Sequence, residues 1–441
     1  MEYKLSDYGA LSIEQSPIGS MTADFSTAFR KGIDINLGVG YVNDDTIPSN
    51  ELRECFSYVL QHSHIYKSSL NYGAAQGSNH LIHAIRDYYV TNEIGNVTQK
   101  DFDSLHIAIG ANGATSILDA IADVLPKGIV FTVEPMYYIY TETLRRKGYT
   151  ICAIPETDEG IDINYLKKYI ETCDIHTISF FYIITVNNPT TQIITNICKK
   201  EIVHIAEDIS RKRRHIVPVI FDKAYEDIIY DSSVEKPESG LLYQSLPCVF
   251  EVGTLSKIIA PALRIGYVIS QYSTMFSAII QRNNDVGFSA PLILQDVSSV
   301  FLQKYIKQHR EKVMVGYAQK AKTIIDYIHK YLGDFVERVQ GGKAGFYVYI
   351  TFKTIQTHSS SDFFAFLSRS TNDSVIDGEK GNVNPRLLYV PGEMCMNEHS
   401  EQQELRYRQL RISFGFEPIE ELERAILLMQ QAAEYAQKKS R

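Results

Sequence analysis

The stretch Pro247-Cys248-Val249-Phe250-Glu251-Val252-Gly253-Thr254-Leu255-Ser256-Lys257, continued after a short gap by Arg264-Ile265-Gly266-Tyr267-Val268-Ile269, decides the fold. Two short apolar, β-branched runs, Pro247 to Val252 and Ile265 to Ile269, read as strands. Between them lie a lysine, two hydroxyls and an arginine. Runs of the same kind recur at Ser104 to Ile109, Gly128 to Val133, Thr150 to Ile154, Thr177 to Ile184 and Val217 to Phe221. Between the first two of these, Ile117, Leu118, Ile121, Val124 and Leu125 fall on one face of a helix. Strands alternating with helices predict an α/β architecture, a mostly parallel seven-stranded sheet covered on both sides. Ligands bind such sheets at the carboxyl ends of strands, so the chemistry belongs in the loops that follow these runs.

The pattern changes near residue 300. Phe301 to Leu332 reads as one long helix, with Val313, Tyr317, Ala321, Ile324, Ile325 and Ile328 near helical spacing. Phe346 to Ile350 and Leu410 to Phe414 read as strands. Pro418 to Gln437 reads as an amphipathic helix with Leu422, Ile426, Met429 and Ala433 inward. Thr354 to Asp362 and Met396 to Glu404 read as loops. These elements predict a smaller α+β domain over 306–441, a large domain over 51–305, and an N-terminal segment, 1–50, packed with the small domain.

The chain has 441 residues, 44% of them apolar and 22% charged, enough to bury a large core. Its formal net charge of −8 disfavours nucleic acid and anionic membranes as partners. The first residues lack a signal-peptide pattern and no long apolar run occurs, which points to a cytoplasmic protein with no membrane span. The six cysteines form no Cys-x-x-Cys pair and read as free thiols. His62 with His64, and His80 with His83, lack a thiol or carboxylate to complete a metal set, so no metal is expected. The basic run Arg211-Lys212-Arg213-Arg214 reads as a solvated helix end.

An amine that reacts with an aldehyde must shed its proton, which cationic surroundings and partial desolvation favour. Lys257 follows an apolar strand, is flanked by Thr254 and Ser256, and precedes Arg264 by seven residues. Two hydroxyls and a guanidinium suit a phosphate monoester; an ordinary surface lysine is the plainer reading of Ser-Lys alone. Asp222 ends another apolar run, with Tyr225 three residues later. A carboxylate there either caps the next helix or keeps a pyridine nitrogen protonated. Asn187-Asn188-Pro189-Thr190 follows a third strand and offers either a turn or an amide donor. Gly110-Ala111-Asn112-Gly113-Ala114 leads from a strand into a helix, where backbone N–H groups can cradle phosphate.

Taken together and in this order, these segments resemble the class I/II (fold-type I) aminotransferases that depend on pyridoxal 5'-phosphate. The run from Gly253 to Tyr267 is similar to that family's lysine signature along its whole length. Asn36-Leu37-Gly38-Val39-Gly40, Asn71-Tyr72-Gly73 with Gly77, Pro135-Met136-Tyr137, Asn188-Pro189-Thr190, Asp222-Lys223-Ala224-Tyr225, Pro391-Gly392 and Leu410 to Phe414 add to it. The resemblance spans roughly residues 33–437.

It implies that Lys257 carries the cofactor as a Schiff base and moves the substrate proton. Asp222 pairs with the pyridine nitrogen, Tyr137 stacks on the ring, and Asn188 and Tyr225 bond the 3'-oxygen. Ala111 and Asn112 (through backbone amides), Thr254, Ser256 and Arg264 hold the phosphate. Tyr72 serves the phosphate of a neighbouring subunit, so a homodimer with shared sites is implied. Arg411 clamps the substrate carboxylate with Gly40 and Asn188 beside it. The implied activity is transamination between an L-amino acid and a 2-oxo acid by a ping-pong mechanism, and the same cofactor set also serves β-lyases, decarboxylases and cyclising synthases. Regulators of this fold carry a DNA-binding helix-turn-helix in front. Family-like sequence here begins near Asn36, which predicts none. Thr191 stands where the family usually has Gly, Val186 where Pro is common, and Ala262 where Gly is frequent.

Overall fold

In the computed structural model, residues 3–13, 19, 29–379, 381–397 and 403–440 are described. The large sheet has strands β1 (Leu105–Ile109), β2 (Ile129–Glu134), β3 (Thr150–Thr157), β4 (Gly160–Ile161), β5 (Ile178–Ile184), β6 (Val219–Asp222), β7 (Val249–Thr254) and β8 (Gly266–Gln271). Their order is β1-β8-β7-β6-β5-β2-β3-β4. The seven runs read from the sequence are all present. The eighth strand is the two-residue β4, too short to leave a periodic signal, which folds back antiparallel on β3. β5 is buried along its whole length, as a strand covered on both faces must be. That burial explains why its sequence, ISFFYII, is apolar without alternation.

Strands β2, β3, β5, β6 and β7 run parallel. β8 runs antiparallel to both β7 and β1. The reversal has a consequence for function. The parallel strands deliver the residues that follow them to the carboxyl edge, while β8 delivers the residues that precede it, Arg264 among them. In register, Ile184 lies beside Asp222 and Asp222 beside Val252, so β5 and β6 end level and β7 runs on to Thr254, beside Gly266 at the start of β8. Helices α1 (Gly113–Val124), α2 (Tyr138–Arg146) and α3 (Asn196–Arg213) follow β1, β2 and β5. The basic run 211–214 ends α3, where Arg211 pairs with Glu207 at 3.1 Å.

The expected single helix over Phe301 to Leu332 is two helices and a turn. α4 (Leu292–Lys304) and α5 (Ile306–Tyr327) are separated by Tyr305, whose φ of −123° and ψ of −19° leave the helical range. A π-helical turn, Ile328–Leu332, follows. Apolar spacing continues across Tyr305, so periodicity alone conceals the break. The smaller sheet consists of β9 (Val336–Gly341), β10 (Tyr347–Phe352), β11 (Val390–Pro391) and β12 (Gln409–Ser413), antiparallel in the order β9-β10-β12-β11. The closing helix α6 (Ile419–Lys439) buries Leu422, Ile426, Met429 and Ala433 as its spacing predicts. Of the stretch read as a loop over Met396 to Glu404, residues 398–402 lie outside the described residues, and Gln403–Arg406 forms a short helix instead.

Ile35 and Asn36 pair with Leu387 and Leu388, and Ser413 N–H donates to the Leu37 carbonyl at 2.7 Å. The segment around residue 37 is thereby tied to the smaller sheet and leads Gly40 to the cleft between the two sheets. Among the described residues no helix is long and apolar enough to cross a membrane, and all six cysteines are free.

Candidate active site

A cavity of about 290 Å³ opens at the carboxyl edge of the large sheet, and its walls include Gly40, Tyr137, Asn188, Asp222, Tyr225, Thr254, Ser256, Lys257, Arg264 and Arg411. Residues that lie far apart in sequence meet here because β5, β6 and β7 run parallel and end at one edge, where β8 begins beside Thr254. A larger cavity of about 490 Å³ lies between β3 and the smaller sheet, and among the described residues no lysine lines it.

Lys257 Nζ donates to the Gly40 carbonyl at 3.0 Å and lies 5.8 Å from the centre of the Tyr225 ring. Burial, with Arg411 and Arg264 as neighbouring cations, pulls its amine down to about 8, against the opposing pull of Asp222. A lysine so placed is far more often neutral than a surface lysine, which nucleophilic attack on an aldehyde requires.

Asp222 is buried at the end of β6. Tyr182 Oη donates to its Oδ2 at 2.8 Å, and the Ala224 N–H donates to its Oδ1 at 3.0 Å. Burial raises its carboxyl above the usual range, opposed by those two hydrogen bonds and by Lys257. No lysine or arginine forms an ion pair with it among the described residues. Burying a carboxylate without a cation is costly, so this one is complementary to a cationic ring nitrogen.

The turn after β7 holds both hydroxyls: Thr254 Oγ1 donates to the Ile265 carbonyl at 2.9 Å, lies 2.9 Å from Ser256 Oγ and accepts from the Ser256 N–H at 3.1 Å. Arg264 stands in the left-handed region, with φ of +54°. Its Nε donates to Asn112 Oδ1 at 2.7 Å and its Nη2 to the Asn112 carbonyl at 3.2 Å. Asn112 thus fixes the guanidinium at the cavity, while its own N–H donates to Ser116 Oγ at 2.8 Å. Neither Ala111 nor Asn112 lines the cavity; Ala114 and Thr115, at the start of α1, do. The expected phosphate turn is therefore brought to the site one turn later along the chain.

Arg411, on β12, is 2% exposed. Its Nη1 donates to Asn188 Oδ1 at 3.0 Å and its Nη2 to the Gly38 carbonyl. Its buried Nε has no hydrogen-bond partner among the described residues, which leaves a donor for an incoming anion. Tyr225 Oη lies 2.8 Å from Tyr347 Oη and accepts from Asn188 Nδ2 at 3.5 Å. Tyr72 is not brought to the cavity of its own chain. It is 81% exposed, and its ring lies against Phe288 with centres 5.2 Å apart.

Three cavity-associated tyrosines carried no sequence signal. Tyr347 and Tyr138 line it, and Tyr182 supports Asp222 from the neighbouring strand. Alternation along β5 would put Phe180, Tyr182 and Ile184 on one face, but only the β5–β6 register places that hydroxyl beside Asp222. At the departures noted above, Thr191 takes φ of +56°, a conformation natural to glycine and strained for a β-branched residue. Its N–H donates to the Asn187 carbonyl at 2.7 Å, which holds the turn closed despite the substitution.

The cavity fits pyridoxal 5'-phosphate on its own chemistry: a buried carboxylate with no ion pair among the described residues for the ring nitrogen, a deprotonatable amine for the aldehyde, and hydroxyls with a guanidinium for the phosphate.

The model of the family "Aminotransferase class I and II" matches residues 33–368. Among curated relatives, an HTH-type transcriptional regulator, NorG of Staphylococcus aureus, is 23% identical over 403 residues, 89% of this chain and 79% of that protein. Among solved structures, the multiple substrate aminotransferase of Thermococcus profundus superposes with a TM-score of 0.80 at 18% identity, covering 99% of this chain and 98% of the other. The α-aminoadipate aminotransferase LysN of Thermus thermophilus, solved with N-(5'-phosphopyridoxyl)-L-leucine, superposes with a TM-score of 0.77 at 18% identity over 99% and 98% of the two chains. The chain belongs to the class I and II aminotransferase family, whose cofactor is pyridoxal 5'-phosphate.

Proposed function

We propose that this protein moves an amino group between an L-amino acid and a 2-oxo acid by a ping-pong mechanism. The observation that carries the reading is the meeting of Lys257, Asp222 and Arg411 in one cavity. Pyridoxal 5'-phosphate, when bound, supplies an aldehyde that takes up the amino group and a ring that accepts electron density from the substrate carbon.

Lys257 holds the cofactor between turnovers. With the cofactor bound, its Nζ would be the base that moves the proton between the substrate α-carbon and the cofactor's C4'. Asp222 stays ionised opposite the ring nitrogen and keeps it protonated. Tyr137 stacks on the ring. Asn188 and Tyr225 donate to the 3'-oxygen. Thr254, Ser256 and Arg264 hold the phosphate, helped by backbone N–H groups at the start of α1, where Ala114 and Thr115 line the cavity. Arg411, with Asn188 and Gly40 beside it, orients the α-carboxylate. The amino group would thus pass from one substrate to a second, a 2-oxo acid. The protein acts as a cytoplasmic homodimer, with Tyr72 reaching the phosphate of the neighbouring subunit; the exposure of that ring supports this. The division into 1–50, 51–305 and 306–441 belongs to the same reading.

The test begins with purified protein and pyridoxal 5'-phosphate. Borohydride should fix the cofactor to Lys257, as read by peptide mass. Single amino acids should then yield pyridoxamine phosphate and a 2-oxo acid. The Lys257→Ala variant should bind the cofactor only reversibly and turn over at least about a thousandfold more slowly. Ammonia with pyruvate, or CO2, in place of those products would assign another reaction of this fold. Undiminished turnover in Lys257→Ala would refute the role of the lysine. The 23% likeness to a transcriptional regulator favours one second reading, a cofactor-sensing regulator. Salt-sensitive DNA binding together with no turnover on any amino donor would support it.

A further inference from the structure

The smaller sheet brings a second phenol to the cleft. Tyr347, on β10, is 1% exposed, and its Oη lies 2.8 Å from Tyr225 Oη. The hydroxyl makes no other hydrogen bond among the described residues. The Arg411 guanidinium sits over its ring, 4.4 Å from the centre. Gly40 backs it so closely that a Cβ there would lie 2.3 Å from Tyr347 Oη; only glycine leaves the hydroxyl its place.

A phenol carries one proton and two acceptor positions. Asn188 already accepts from Arg411 through Oδ1, so its Nδ2 is turned toward Tyr225, at 3.5 Å. The Arg411 cation draws electron density from the Tyr347 ring and makes its hydroxyl the better donor of the phenol pair. With Tyr347 donating, Tyr225 has its own proton left for the cleft. The other charged and titratable groups around the pair, among the described residues, are Lys257 above the Tyr225 ring, Asp222 at the end of β6, Tyr137 and Tyr138 where α2 begins, and Tyr317 on α5.

We propose that the Tyr347 hydroxyl is a positioning group: by donating to Tyr225 Oη it directs the single Tyr225 proton into the cleft, toward the 3'-oxygen of the cofactor. The inference rests on the functional reading above. A firmly directed hydrogen bond weakens the hold of that oxygen on a shared proton. Its loss should make the bound cofactor retain its proton to higher pH.

The experiment is a pH titration of the bound-cofactor absorbance in the wild type, Tyr347→Phe, Tyr225→Phe and the double variant. Tyr347→Phe removes one oxygen and keeps the ring under Arg411. Its midpoint should rise by about 0.5 to 1 pH unit, the worth of one net hydrogen bond. Tyr225→Phe should raise it at least as much, and Tyr347→Phe should add nothing in that background. An unchanged midpoint in Tyr347→Phe, or shifts that add in the double variant, overturns the proposal. A merely structural role would lower the melting temperature and leave the midpoint alone. Should Tyr347→Phe not fold, Tyr347→Met, which also lacks a hydroxyl, must show the same rise. A wild type with no cofactor band sinks the functional reading itself; a wild-type band with an unmoved variant midpoint sinks only the role of Tyr347.

Discussion

Nη1 of Arg411 donates to Oδ1 of Asn188 at 3.0 Å, joining a strand of the smaller sheet to the loop that follows β5 in the large one. The bond orients the guanidinium from behind, and its buried Nε has no partner among the described residues. An arginine fork cannot be replaced by a point charge at such a place. In Arg411→Lys, KM for every amino donor and oxo acceptor should rise by roughly 10- to 100-fold, the loss of one charged hydrogen bond. All substrates share the carboxylate, so steady-state kinetics should show a similar rise across donors of different side chain. A rise confined to one donor would place Arg411 against the side chain instead.

Tyr182 donates to the Asp222 carboxylate at 2.8 Å and favours its charged form. Burial already raises the Asp222 carboxyl. Removing the hydroxyl in Tyr182→Phe raises it further, so protonation intrudes at higher pH. The acid limb of kcat/KM should move up by about 0.5 to 1 pH unit, while the alkaline limb stays in place. A pH–rate profile checks both limbs, and an unmoved acid limb would separate Asp222 from catalysis.

The Lys257 amine is pulled down to about 8 by burial and by Arg411 and Arg264. Only the neutral amine attacks an aldehyde, so uptake of pyridoxal 5'-phosphate by the cofactor-free protein should accelerate through about pH 8 and then level off. Stopped-flow absorbance reads this directly; a rate still climbing at pH 10 would mean an unshifted lysine. The same depression makes the cofactor-free fold gain stability as pH rises from about 8 toward 10.5, because the unfolded chain keeps that proton longer. Lys257→Met should lose this slope.

Gly266 begins β8 against the turn into α1. A Cβ there would lie 2.0 Å from the Ala114 nitrogen and 2.3 Å from the Gly113 carbonyl carbon. Both contacts are backbone and cannot rotate away. Gly266→Ala should cost roughly 2 to 4 kcal/mol, an overpacking penalty at the upper end of single substitutions. Gly148→Ala is the control: its φ is +87° with nothing within 4 Å of the added carbon, so only the backbone cost of about 1 kcal/mol applies. Thermal melts of the two variants should separate clearly.

The sequence by itself determined the strands of the large sheet and the residues at their ends. Lys257, Asp222 and Asn188 follow or end apolar runs, and the chain carries them to the carboxyl edge because a strand's direction fixes where its last residue points. Covalent nearness made these groups legible. Tertiary structure alone decided what surrounds them. Tyr182 reaches Asp222 only through the β5–β6 register, and Tyr347 reaches Tyr225 only because β10 is carried against the large sheet, 122 residues away. The break at Tyr305 and the supporting role of Asn112 were hidden for the same reason. Periodicity reports which face of an element is buried, whereas the partner met on that face depends on how separate elements pack.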